Sequence, residues 1–226
     1  MRIVVWNARM GFGRKHDALV QLEPDVAIVP ECSARIDAAT GGSVWVGSIP
    51  SKGLSVFAYG DYRVSLDQTY DDSIKEVAPV WVAGPHPFFL LAVWSMPPYG
   101  EAVQRALVKY APMIRSGWTV VAGDFNQNTC FDKPNRARNH SRTVELLNDL
   151  GLTSAYHRFS GVNHGAETET TLYWSGRPGD RSVYHIDYCF VPKPWAERLH
   201  SVSLGSRAEW GRMSDHVPLV VDVEPT

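Results

Sequence analysis

The chain has 226 residues, 44% of them hydrophobic and 20% charged, a globular balance with length enough for one sizeable core. A net charge of -2 and an isoelectric point near 6.4 exclude a protein that relies on a broadly basic surface to hold nucleic acid. Three cysteines, Cys32, Cys130 and Cys189, with no CxxC spacing, give no disulfide framework or zinc knuckle and read as buried thiols.

Met1 leads almost directly into the apolar run Ile3-Val4-Val5-Trp6, a first core strand, with no signal-peptide pattern before it. No stretch reaches the roughly 18 apolar residues of a membrane span, so the expected compartment is the cytoplasm. Further β-rich runs follow at Val26 to Pro30, Val44 to Gly47, Leu54 to Tyr59, Val80 to Val82, Phe88 to Trp94 and Thr119 to Gly123. The second half adds Thr171 to Trp174, His185 to Val191 and Val217 to Val223, with Pro178-Gly179-Asp180 as a turn. Helical periodicity is expected over His16 to Leu22, Glu101 to Arg115 and Ser141 to Leu150, the last closed by Gly151. Half-apolar sheets interleaved with helices imply sheet packed on sheet with helices outside, an α+β fold, and the absence of linker-like sequence implies one domain over 1–226.

Polar residues recur where apolar β runs end or begin, a placement from which rigid strands can aim side chains into one cleft. Asn7 follows the first run, Glu31 the second, and Asp124 with Asn126 the run ending at Gly123. Asp187 lies inside His185-Ile186-Asp187-Tyr188, and Asp215-His216 precede Val217 to Val223. Each has a plainer reading alone: a surface acid, a turn-forming Asn, an Asx turn or a packed histidine.

Taken in order, Trp6-Asn7, Pro30-Glu31, Gly53-Leu54-Ser55-Val56, Gly123-Asp124-Phe125-Asn126, His185-Ile186-Asp187-Tyr188 and Ser214-Asp215-His216 resemble the endonuclease/exonuclease/phosphatase group. That group includes abasic-site endonucleases, DNase I and inositol polyphosphate phosphatases. The resemblance covers nearly the whole chain and implies a four-layer α/β/β/α sandwich, two mixed sheets face to face, with the site at one edge between them. It also implies divalent-metal-dependent hydrolysis of a phosphodiester or phosphomonoester by in-line attack of water.

Under that resemblance Glu31 and Asp215 are the metal-ligating carboxylates, suited as hard oxygen donors to Mg²⁺ or Mn²⁺, and Asn7 is the metal's neutral neighbour. Asp124 orients or deprotonates the water, Asn126 holds that water or a phosphate oxygen, and Asp187 fixes the tautomer of His216. The sequence does not choose between Asp124 and His216 as the group that takes the proton, nor between one metal and two.

Two positions depart from the pattern. Arg9 stands where the group usually carries an acid, which leaves ligation to Glu31 and Asp215 or gives Arg9 a substrate phosphate to hold. Ser95 stands where many members carry Tyr or His, with Tyr99 a candidate to supply the lost contact. Substrate contacts are expected from the basic segment 133–142, including Arg138 and His140, and from Trp174.

Nucleic acid is the leading substrate. A small or lipid-derived phosphoester is the alternative, favoured by the acidic isoelectric point. From another class comes a silent binding module on the same fold, with no protein partner implied.

Overall fold

Alternation along the strands decides the layers, because the longest strands are apolar on both faces and need cover on both. The computed structural model describes residues 1–34, 36, 39–74, 77–174 and 182–226; the turn expected at 178–180 lies outside them. The strands are β1 (Arg2–Val5), β2 (Val26–Cys32), β3 (Ser43–Ile49), β4 (Lys52–Ala58), β5 (Arg63–Leu66), β6 (Val77–Ala83) and β7 (Phe88–Trp94). They continue as β8 (Thr119–Asp124), β9 (Leu152–Ser154), β10 (Leu172–Tyr173), β11 (Val183–Tyr184), β12 (Asp187–Pro192), β13 (Leu199–Leu204) and β14 (Leu219–Val223). The helices are α1 (His16–Val20), α2 (Glu101–Lys109), α3 (Ala111–Ser116), α4 (His140–Asp149), α5 (Ala155–Ser160), α6 (Lys193–Ala196) and α7 (Arg207–Trp210).

One six-stranded sheet runs β13-β14-β1-β2-β4-β3, a second runs β5-β6-β7-β8-β12-β9, and β10-β11 form a separate hairpin. Both sheets are mixed, since β1 with β2 and β7 with β8 are parallel and the other ladders antiparallel. Ile3 and Val5 of β1 meet Leu90 and Ala92 of β7 in a core between the sheets. Val4 and Trp6 point the other way, onto Phe12, Leu19 and Trp210 outside the first sheet. Phe89, Leu91 and Val93 likewise pack under Val103, Leu107 and Ile114 of α2 and α3, and Leu147 of α4. The result is the four-layer sandwich expected.

The expected helix over 101–115 is two helices, broken at Tyr110, whose φ/ψ of -92/5 leaves the helical region. Pro112 enforces the break, since it lacks the N–H needed inside a continuous helix and is tolerated in the first turn of α3. The α4 helix begins at His140, one residue before the expected start, and its cap comes from elsewhere in sequence. The Asp132 carboxylate accepts the backbone N–H of His140 at 2.7 Å and of Ser141 at 3.0 Å, satisfying donors a helix start leaves open. No helix among the described residues is long and apolar enough to cross a membrane.

Candidate active site

Strand polarity brings the expected residues to one edge. β1 and β2 are parallel, so Asn7, just beyond β1, and Glu31, near the end of β2, emerge side by side. β14 is antiparallel to β1, so Asp215 and His216 enter the same edge ahead of its start. In the opposite sheet β12 runs against β8 with Asp187 in register with Asp124, the first residue of one strand beside the last of the other.

Local backbone features aim these side chains. The β2–β4 register shifts between Pro30 and Cys32, so Glu31 is the extra residue of a β-bulge, and its φ of 57° turns it out of the strand's alternation. Gly123 is required by a close approach. It has φ 146°, and a Cβ there would lie 1.9 Å from the Val93 carbonyl oxygen of the neighbouring strand. Asp124 Oδ1 then accepts the Asn126 N–H at 2.9 Å, an Asx turn that holds Asn126 at φ 50°. Ser214 Oγ donates to the Asn7 carbonyl at 2.7 Å and the Trp6 indole donates to the His216 carbonyl at 3.1 Å, which binds the two halves of the motif set together. Thr171 Oγ1 accepts the N–H of Ile186 at 3.0 Å and of Asp187 at 3.1 Å, fixing the start of β12.

At the centre, ligand-type atoms of Asp124, Asp187 and His216 lie within 4.8 Å of one another, and all three residues are buried. Asp187 Oδ2 stands 2.8 Å from His216 Nδ1, which leaves Nε2 toward the cleft. Asp124 Oδ2 accepts Asn7 Nδ2 at 2.9 Å and Asn126 Nδ2 at 3.1 Å. Burial, with the Asp187 charge added to it, pushes the Asp124 carboxyl up to about 7, against the pull of His216 and Asn7. Burial opposes charge on His216, but Asp187, through charge and hydrogen bond, and Asp124 outweigh it and hold the imidazolium to about 9.

The two carboxylates expected to ligate metal are less buried and each faces a cation. Glu31 is 3.2 Å from Lys52 Nζ and 3.4 Å from Asn7 Nδ2. Asp215 is 3.5 Å from Arg9 Nε. Arg9 therefore sits against a carboxylate at the rim, with its side chain 60% exposed, and its backbone N–H donates to Asn7 Oδ1 at 2.9 Å. As donors, Glu31 and Asp215 suit a hard divalent ion, and two cationic side chains now balance their charge. Asn7 offers N–H groups to the carboxylates of Glu31 and Asp124 and thus bridges the two parts of the site. Asp124, Asp187 and His216 also qualify as a metal-capable group, but their mutual burial and hydrogen bonds suit proton handling better than an open coordination position.

Beside Asn126 opens a cavity of about 350 Å³ walled by Tyr99, Phe131, Trp174 and Tyr184, with Arg136 at its margin. Trp174, expected to contact substrate, lines this cavity. Burial and, after it, the Asp124 charge raise the Tyr99 hydroxyl pKa. The Ser95 hydroxyl accepts the Gly100 N–H at 3.3 Å, and its carbonyl accepts Asn126 Nδ2 at 3.0 Å, a bracing role. His140 is a correction: it is 0% exposed, stacked on Tyr188 at 4.8 Å, because Asp132 draws the start of α4 inward. Arg138 is half-buried and does not line the cavity; Arg136 does. Lys52, Phe131 and Tyr184 carried no sequence signal beyond single residue type.

No protein-family model matches the chain, and no curated protein matches it in sequence. Solved structures do match over its whole length. A 3′ phosphatase, NExo, from Neisseria bound to a product DNA hairpin superposes with a TM-score of 0.71 at 19% identity, covering 99% of each chain. This is the fold of the endonuclease/exonuclease/phosphatase proteins. An AP endonuclease from Archaeoglobus fulgidus gives a TM-score of 0.70 at 18% identity over 99% of each chain. An endonuclease/exonuclease/phosphatase family protein from Leptotrichia buccalis gives 0.65 at 13%, again over 99% of each. The chain thus has the fold of these proteins.

Proposed function

We propose that the chain is a metal-dependent phosphoric ester hydrolase whose substrate is nucleic acid. The observation that carries this reading is the conjunction of the buried Asp124, Asp187 and His216 cluster with an aromatic cavity beside Asn126. With His216 protonated to about 9, the imidazolium faces the phosphate as a donor and charge partner and is not the base at neutral pH. Asp124, raised to about 7, takes the proton of the attacking water, and Asn126 orients that water. Asp187 holds the His216 ring in place. Glu31 and Asp215 hold Mg²⁺ or Mn²⁺ with Asn7 as their orienting neighbour, and the ion when bound supplies charge stabilisation to the phosphoryl and leaving-group oxygens.

Nucleic acid is favoured over a small phosphoester by the exposed aromatics. Trp174, Tyr99 and Phe131 are 43%, 41% and 39% exposed, an arrangement suited to stacking a base or sugar. Among proteins of this fold, the Neisseria phosphatase was captured with a DNA hairpin. The test is cleavage of labelled duplex DNA carrying one abasic site, 3′-phosphate-ended DNA, single-stranded DNA and bis-p-nitrophenyl phosphate, in Mg²⁺, Mn²⁺ or EDTA. Metal-dependent DNA cleavage lost in Asp124→Ala supports the proposal. Turnover of the small diester alone points to the small-phosphoester reading, and no turnover at all to the binding module.

A further inference from the structure

Around Tyr188 of β12 lies a cluster of imidazoles that the proposed reaction does not use. His157 sits on α5, and His164 and Glu167 lie in the segment that follows it. A ring nitrogen from each histidine and a carboxylate oxygen of Glu167 lie within 4.8 Å of one another. His157 Nε2 is 2.9 Å from Glu167 Oε1, and the His164 ring stacks on His157 with centroids 3.6 Å apart. The side chains of His157 and Glu167 are only 8% and 5% exposed.

A second observation points the same way. His140, 0% exposed, has neither ring nitrogen partnered among the described residues, and its ring centre is 5.6 Å from that of His164. His164 Nδ1 and His185 Nε2 are likewise buried without a partner among them. Four of the chain's eight histidines therefore gather here. If packing alone were at stake, phenyl rings would serve better, since each unsatisfied buried polar atom costs about 1–3 kcal/mol. Imidazole lone pairs beside a carboxylate are the donor set of a late first-row ion, whereas Mg²⁺ and Ca²⁺ take oxygen.

We propose that His157, His164 and Glu167 form a second metal site, for Zn²⁺ or a similar late first-row divalent ion, that fastens the 161–170 segment to α5. Asn128, in the loop after β8, holds one of these ligands: its Nδ2 donates to Glu167 Oε1 at 3.0 Å and to the His185 carbonyl at 3.0 Å. Asn128 follows Asp124 and Asn126 by four and two positions, so the Glu167–Asn128 hydrogen bond joins the proposed site to the loop that carries Asn126.

The test uses full-length chain stripped with chelator and titrated with Co²⁺, read by visible absorption, with Zn²⁺ competition and metal content as second readouts. Wild type is expected to bind one Co²⁺ with the intense d–d bands of a tetrahedral site, unaffected by millimolar Mg²⁺. His164→Phe, which preserves the stacked ring, and Glu167→Gln, which preserves the Asn128 contact, are expected to weaken binding at least about 100-fold. Glu31→Gln should bind Co²⁺ here as wild type does. A wild type with no such spectrum overturns the proposal, as does equal binding in the folded His164→Phe or Glu167→Gln chains. Loss of the spectrum in Glu31→Gln alone would assign the ion to the cleft and overturn it equally.

Discussion

Between roughly pH 7 and pH 9 the site carries an ionised Asp124 and a protonated His216, because burial and the Asp187 charge push Asp124 upward, while at His216 the Asp187 and Asp124 charges and the Asp187 hydrogen bond outweigh a burial that works the other way. The rate should therefore rise as Asp124 loses its proton near 7 and fall as His216 loses its proton near 9, giving a bell-shaped profile of kcat/KM. Asp187 is the residue that holds the upper limb in place. In Asp187→Asn the charge that raises His216 is gone, so that limb should move down toward the ordinary histidine value of 6.5, with the rate falling about 10²–10⁴-fold. An upper limb that stays near 9 would sink the assignment. The same pairing contributes stability that is fully present below about 6.5 and lost as pH rises through about 9, since the folded value lies above the unfolded one. At this scale the sequence was informative wherever a residue type stood at a strand end, as with Asp124, Asp187 and His216. It was silent on Lys52 and Arg9 as the partners of Glu31 and Asp215, because those pairings depend on a bulge and a left-handed turn that residue type does not announce.

The β7–β8 pair is the element on which the site depends most directly. Its parallel register puts Gly123 beside Val93 and Asp124 beside Trp94, and the spacing leaves no room for a side chain at 123. Gly123→Ala must either separate the strands or twist the peptide, at a cost on the order of 3–5 kcal/mol. A urea midpoint lowered accordingly, with an unchanged slope, is the expected outcome; an unshifted midpoint would show that the strand pair gives way freely. Three of the strands the sequence concealed have a common physical origin. β5, β9 and β13 are all edge strands, short or largely exposed, so they lack the apolar period that marks central strands such as β7. The helix break at Tyr110 was visible in Pro112, but the strong periodicity of 101–115 masked it.

Across the whole molecule, the four-layer sandwich was legible through the family resemblance that the motifs carry in order, and the two six-stranded sheets have that architecture. The cavity was not, because its walls come from stretches of chain far apart in sequence, at 99, 131, 174 and 184. Charge follows the same division between what sums along a sequence and what gathers in space. The net charge of -2 argues against nucleic acid, yet a groove of about 970 Å³ collects Arg105, Lys109, Arg136 and Arg142 on one face. Lys109 is paired with Asp71 at 2.9 Å and Arg142 with Glu145 at 2.9 Å, which removes most of their pull on a phosphate. Arg136 lines both this groove and the aromatic cavity, so a strand with one unit in the cavity would pass its backbone over that guanidinium. Arg136→Ala should then weaken DNA binding at every sequence alike and reduce the slope of log affinity against log salt by about one, while bis-p-nitrophenyl phosphate turnover stays at its wild-type rate. An unchanged salt slope would move the backbone path off this groove and leave the net negative charge as the better guide to the substrate.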